Sequence, residues 1–205
     1  MNLPSAFKER TSRLLGESAY EALETALQSE APTSIRINTA KWKGILKSEK
    51  SVPWCEHGYY LSTRPAFTFD PLFHAGCYYV QEAASMFLAQ AMKQYVTSPV
   101  IMLDLCAAPG GKSTLARSIL PEGSLLVSNE IIKNRSQILA ENLIKWGGDA
   151  ATIVTNNDSA DFTNFSHLFD IILTDVPCSG EGMFRKDANA ITEWSEANVE
   201  LCWKR

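Results

Sequence analysis

The sequence predicts an α/β protein built on a mostly parallel sheet, and three observations carry that prediction. Residues 100–105 form a short apolar run between Pro99 and Pro109, with the length and β-branched start of a buried strand. A loop with two glycines and a proline follows, and residues 115–120 return at helical spacing. Beyond it, apolar strands alternate with amphipathic helices, the pattern of parallel strands covered on both faces. Gly110 and Gly111 clear side chains from a place where a ligand can approach the backbone. The next helix offers unpaired N–H groups at its start. Strand, glycine turn and helix make the opening unit of a Rossmann-like, nucleotide-cofactor fold.

The totals limit the alternatives. A chain of 205 residues holds one large domain, or a small one with a medium one. At 45% hydrophobic and 20% charged it has the balance of an ordinary globular protein. No apolar run approaches the ~18 residues of a membrane span, and the first twenty residues are too charged for a secretory signal. No membrane partner and a cytoplasmic location are expected. The net charge is −4; residues 1–50 carry eight Lys/Arg against six Asp/Glu, which leaves the remainder at −6. A polyanion must therefore be met by a local patch. Five cysteines, at 55, 77, 106, 178 and 202, include no C-x-x-C pair. That argues against zinc or a disulfide framework and for a reducing compartment; no metal is expected.

The elements follow in order. Pro4 opens a helical pattern that runs to Ala31-Pro32, with Phe7, Leu14, Leu15, Leu23, Ala26 and Leu27 as buried positions. Residues 34–38 read as a short alternating strand with Arg36 facing out. Lys41, Trp42, Lys43, Lys47 and Lys50 make a small basic patch with an aromatic, able to touch phosphates and stack on a base. A solvated face with Trp42 tucked in is the equal alternative. Residues 51–80, dense in aromatics and turn formers, read as a connecting layer in which His57 and His74 are structural. Residues 81–96 predict a helix with Ala84, Leu88, Ala91, Met92 and Tyr95 on one face. A strand over 124–130 leads to a helix over 132–146 whose Ile132, Leu139, Leu143 and Trp146 align, stopped by Gly147-Gly148. Strands over 151–155 and 169–175 follow, the latter apolar enough to be buried on both faces. Between them, 156–167 holds a turn and a short helix. Residues 187–205 look helical through Ile191, Trp194, Val199 and Leu201, and stop at Lys204-Arg205 without a cap. The chain is expected to end within a domain.

Two cofactors compete for the glycine loop. Gly111-Lys112-Ser113 resembles the tail of a phosphate-binding loop of NTPases, and the strand ending at Asp175 could serve as its magnesium-side strand. That loop needs a glycine where Cys106 stands, and Pro109 removes one N–H from the cradle. The alternative starts from carboxylates at strand ends: Glu130 after the second strand, Asp158 after the third, Asp175 after the fourth. In open α/β sheets ligands bind at the carboxyl ends of the strands. An acid closing the second strand is placed to accept hydrogen bonds from both ribose hydroxyls. Three acids repel a polyphosphate but tolerate a cationic sulfonium, so S-adenosyl-L-methionine fits better than ATP or NAD. Asp175 and Cys178 lie three residues apart across Pro177. A thiolate there is a soft nucleophile suited to an electron-poor carbon such as pyrimidine carbon 6, and the acid can hold the polar edge of the base.

The motif from Cys106 to Thr114 (CAAPGGKST) and that from Asp175 to Gly182 (DVPCSGEG) closely resemble those of the Sun family of RNA 5-methylcytosine methyltransferases. MFRKD from Met183 and the stretch FHAGCYYVQEAASM from Phe73 resemble its RsmF-type bacterial ribosomal RNA branch. The resemblance implies a class I methyltransferase core over 79–205, after a small RNA-contacting α/β module over 1–78. It implies cytosine C5 of ribosomal RNA as the methyl acceptor. S-adenosyl-L-methionine is then bound by Cys106, Ala107, Ala108, Pro109, Gly110, Gly111 and Lys112. Glu130 serves the ribose, Asp158 the adenine and Asp175 the methionine end, with Arg135 beside the cofactor. Asp175 and Cys178 are the implied catalytic pair, Cys178 assisting product release. The family's attacking thiol stands in a later Thr-Cys-Thr-like motif that does not occur here, and its last strands and C-terminal RNA-binding domain are missing too. The chain thus reads as the N-terminal portion of a longer enzyme, able to bind cofactor without turning over. An attack by Cys178 itself, an NTPase, and a non-catalytic RNA-binding or assembly module are the remaining alternatives. Oligomeric state is not readable from the sequence.

Overall fold

The computed structural model describes residues 2–44, 46, 49–148 and 151–204. The contacts separate two compact units: residues up to Pro32 together with those from Val176 onward, and Thr33–Asp175. The chain opens with α1 (Ser5–Leu15) and α2 (Glu17–Gln28), not one continuous helix. Gly16 breaks it at φ +82°, a left-handed conformation that glycine adopts without strain. The expected stripe holds in part: Phe7 is buried and Leu23 and Leu27 pack on the same cluster as the buried Leu3 and Tyr20, whereas Leu14 is 79% exposed and Leu15 and Ala26 also face out.

The larger unit begins with an antiparallel sheet of β1 (Thr33–Ile37), β2 (Lys50–Val52), β3 (Cys55–Leu61) and β4 (Tyr78–Val80), in the order β2-β3-β1-β4. Every residue of β1 is buried. Ile35 and Ile37 pack with Phe67, Cys77 and Tyr78. On the alternate face Ser34, Arg36 and Asn38 make polar contacts: Ser34 Oγ donates to the Gln81 carbonyl and Asn38 Nδ2 to those of Gly76 and Trp146. The outward placement of Arg36 is therefore wrong; it is 2% exposed because both faces of β1 are covered. Trp42 is half-buried against the Ile35 cluster, and the Lys41 ammonium donates to the Ala75 and Lys145 carbonyls at 2.9 and 2.6 Å. Lys43 and Lys50 are exposed, and Lys47 lies outside the described residues. A 3-10 turn (Phe67–Phe69) and α3 (Pro71–His74) lead into β4, with His74 Nε2 2.9 Å from the Thr68 carbonyl. The expected 78/79 domain boundary falls inside β4, whose register with β1 pairs Arg36 with Tyr79.

The 81–96 segment is only partly helical: a 3-10 turn (Ala84–Phe87), then α4 (Leu88–Tyr95). Its buried stripe is Ala83, Met86, Ala89, Met92 and Val96, whereas Tyr95 is 76% exposed and Ala84 and Ala91 face out. The tighter 3-10 turn shifts the face that meets the core. The parallel sheet comprises β5 (Ile101–Asp104), β6 (Leu125–Asn129), β7 (Ala151–Thr155) and β8 (Ile171–Leu173), in the order β7-β6-β5-β8. Helices α5 (Gly111–Arg117) and α6 (Lys133–Trp146) connect the first three strands. Met102, Ala116, Leu126 and Met92 share one core cluster; Ala107, Leu139 and Leu143 form another under the glycine loop. Ile132 is 51% exposed, since α6 starts one residue later. β8 is an edge strand with Ile172 58% exposed, contrary to burial on both faces. The last segment splits into α7 (Ala188–Glu193) and α8 (Glu196–Lys204). Trp194, between them, is buried on Phe7 while Leu201 faces out.

Asn129, 1% exposed, ties the carboxyl ends of the parallel strands together. Its amide donates to the Leu105 and Asn157 carbonyls at 3.2 and 3.1 Å, and its oxygen accepts from Thr155 Oγ1 and the Asn157 N–H at 2.8 and 3.0 Å. Asn129→Ala leaves buried groups without partners and should lower unfolding free energy by about 3 kcal/mol in urea titrations.

Candidate cofactor cleft

Strand β5 ends at Asp104 and the chain turns through residues 105–110 into α5. Gly110, at φ +107°, makes the turn, and a Cβ there would press on Leu139 Cδ1 at 3.3 Å. The loop is held through its carbonyl groups. Tyr79 Oη and Asn142 Nδ2 both donate to the Pro109 carbonyl, at 3.1 and 2.8 Å. Arg135 donates to the Ala108 carbonyl at 2.9 Å and Gln81 Nε2 to that of Gly111 at 3.0 Å. In front lies a cleft of about 170 Å³ bordered by Gln81, Ser85, Cys106, Pro109, Lys112 and Asp175.

Carboxyl groups ring the loop. Asp104 is fully buried; its Oδ2 accepts from Ser113 Oγ at 2.6 Å, Ser128 Oγ donates onward to Ser113 Oγ, and Oδ1 has no partner. Burial raises its carboxyl to about 6, and Asp175 adds to the rise, against the Ser113 hydrogen bond and the Lys112 charge. Glu130 is buried at the end of β6: Oε1 accepts from the Ile132 N–H at 3.0 Å, and Oε2 lies 3.4 Å from Arg135. The Lys112 ammonium bonds the Asp175 carboxylate. The half-buried Cys106 thiol is pushed up by burial and by the nearby Glu130, Asp104 and Asp175.

The structure thus brings Cys106–Lys112 and Asp175 to one cleft, with Glu130 and Arg135 paired beside it. Asp158 is exposed and caps the 3-10 turn Ser159–Asn164 through the Ala160 N–H at 2.9 Å. Cys178 belongs to the smaller unit, where it is exposed. Its loop is clamped by Glu181, which accepts from Ser179 Oγ at 2.5 Å and from Trp194 Nε1 at 2.8 Å. Burial would raise Glu181, but these two hydrogen bonds, with a backbone hydrogen bond and the Arg10 charge, together hold the carboxyl below its ordinary range. Asp104, Tyr79 and Gln81 were absent from the predicted site. An acid closing a buried apolar strand was a readable signal for Asp104; Tyr79 on β4 and Gln81 just past it lie in the stretch from Phe73, whose residue types alone do not mark a contact with the loop.

The chain as a whole is similar to known proteins. The family model for the N-terminal domain of 16S rRNA methyltransferase RsmF matches residues 3–83. That for 16S rRNA methyltransferase RsmB/F matches residues 93–205, more than half of the chain. The chain belongs to the 16S rRNA methyltransferase RsmB/F family. Among its relatives, ribosomal RNA small subunit methyltransferase F of Pectobacterium atrosepticum is 33% identical, over 97% of this chain and 44% of the relative. The protein of that name from Vibrio parahaemolyticus is 32% identical, over 96% and 44%. The chain spans less than half the length of these curated relatives. Among solved structures, a methyltransferase homolog protein from Pyrococcus horikoshii is 28% identical with a TM-score of 0.73, over 92% of this chain and 64% of the other. NSun6 from the same organism, crystallised with SFG, has a TM-score of 0.80 at 16% identity, over 98% and 77%, and shows the shared fold. The Rossmann-like methyltransferase fold and the family predicted from the sequence are thus correct.

The raised Asp104 carboxyl fixes a pH dependence. A folded-state value above the unfolded one favours the protonated native state, so this contribution is full below about pH 4 and is lost as pH rises through about 6. Asp104→Asn abolishes the loss. Relative to the parent, its unfolding free energy should gain about 3 kcal/mol between pH 4 and pH 7, read by urea titration at each pH.

Proposed function

We propose that this chain binds S-adenosyl-L-methionine at the glycine loop and serves the methylation of cytosine C5 in ribosomal RNA. The observation that carries this is the set of acceptors: three carboxyl groups, Asp104, Glu130 and Asp175, around the turn at Gly110 and Gly111. Such a set suits a cationic sulfonium and disfavours a triphosphate. Residues 106–112 would hold the cofactor, with Glu130 on the ribose hydroxyls, Arg135 fixing Glu130 and the loop, Asp158 toward the adenine and Asp175 at the methionine end. When bound, the group supplies a methyl on positively charged sulfur.

Asp175 is then placed to hold the polar edge of a cytosine, and the exposed Cys178 supplies a thiol on the following loop. The target base must leave any stack to meet the cofactor, which favours an opened or single-stranded site in the RNA. RNA contact by residues 1–78 would use exposed side chains such as Lys43 and Lys50. Action on ribosomal RNA supports a cytoplasmic location.

Isothermal titration of the chain with S-adenosylmethionine should give one saturable site, and Mg-ATP none. Glu130→Ala should weaken that binding by about tenfold, the worth of one charge-assisted hydrogen bond. Mg-ATP bound in place of S-adenosylmethionine overturns the proposal.

A further inference from the structure

We infer that Gln81 is a positioning residue for the cofactor loop, held in register from behind by the buried Arg36. The inference rests on the cofactor assignment above. Gln81 is 6% exposed and stands where β4 ends, between the antiparallel sheet and the first residue of α5. Its Nε2 donates to the Gly111 carbonyl at 3.0 Å, and its Oε1 accepts from Arg36 Nε at 2.8 Å. Each end of the amide thus has a partner that the other end could not serve. A flipped amide would set carbonyl against carbonyl and donor against donor.

Arg36 in turn is fixed on three sides. It donates to Thr114 Oγ1 at 2.6 Å, one turn into α5, and its guanidinium carbon lies 4.2 Å from the ring centroid of Trp146. Among the described residues it has no carboxylate partner, so hydroxyl, amide and indole hold the cation. The pair therefore fixes the start of α5, at Gly111 and Thr114, where the glycine loop enters the helix. A Cβ on Gly111 would sit 3.5 Å from Gln81 Nε2, so the amide lies directly against the part of the loop that a ligand would meet.

Gln81→Glu separates positioning from mere stability. The new carboxylate faces Arg36 and should pair with it, while its other oxygen opposes the Gly111 carbonyl. The melting temperature should hold or rise, yet affinity for S-adenosylhomocysteine by isothermal titration should fall about tenfold. Amide exchange over residues 110–112 should quicken without ligand. Gln81→Met, which loses both bonds, should lower melting temperature and affinity together. Parental affinity and exchange in Gln81→Glu overturn the inference alone. A parent chain that does not bind S-adenosylhomocysteine overturns the cofactor assignment, and unchanged exchange in Gln81→Glu then overturns this inference as well.

Discussion

An uncompensated buried cation organises the larger unit. Arg36 reaches through the interface between the antiparallel sheet and the helices of the parallel sheet, and burial lowers it only to about 10, so it stays charged at neutral pH. A charge in a low-dielectric setting demands fixed dipoles, and removing any of them is disproportionately destabilising. That demand explains why β1 carries Ser34, Arg36 and Asn38 on one face and Ile35 and Ile37 on the other. The apolar face joins the Phe67–Tyr78 cluster. The polar face meets α5 and the end of α6, where Asn38 and Lys41 take the last helix carbonyls, Trp146 and Lys145.

The glycine loop depends on this joint. Its carbonyl groups are engaged by Tyr79 and Gln81 from the antiparallel sheet and by Arg135 and Asn142 from α6. Gly76 belongs to the same device: it comes so close to α6 that a Cβ there would lie 2.0 Å from the Lys145 carbonyl oxygen. The two sheets therefore act on the cleft as one support. In the smaller unit an aromatic cluster does similar work. Phe7 stacks edge-on against Phe184 and Trp194, and Trp194 anchors the Glu181 clamp on the loop that bears Cys178.

The parallel sheet was legible because buried strands are short apolar runs separated by helices, and the bounds of β7 match to the residue. The glycine loop and the acids at the strand ends were legible because their residue types are restricted by backbone geometry and ligand charge. Periodicity failed where packing is set by distant chain. Alternation correctly gave β1 two faces, but could not show that α5 and α6 cover the polar one. A glycine at position 16, a 3-10 turn at Ala84–Phe87 and a break at Trp194 interrupt the helices, so stripes read across them hold only in part: Leu23, Leu27, Met92 and Val199 meet the core, whereas Leu14, Tyr95 and Leu201 face out. β8 has the composition of a central strand and lies at the edge of the four strands among the described residues.

The Asn38 and Lys41 caps on α6 lie more than a hundred residues before the carbonyls they close. Translation runs from the N-terminus, so β1 to β4, with Tyr79 on the last of them and Gln81 just after it, are synthesised before any residue of the glycine turn. The scaffold that shapes the turn is older, within each molecule's lifetime, than the turn itself. A nascent chain halted just past Asp104 already carries Arg36, Asn38, Tyr79 and Gln81, the antiparallel sheet's half of the mould.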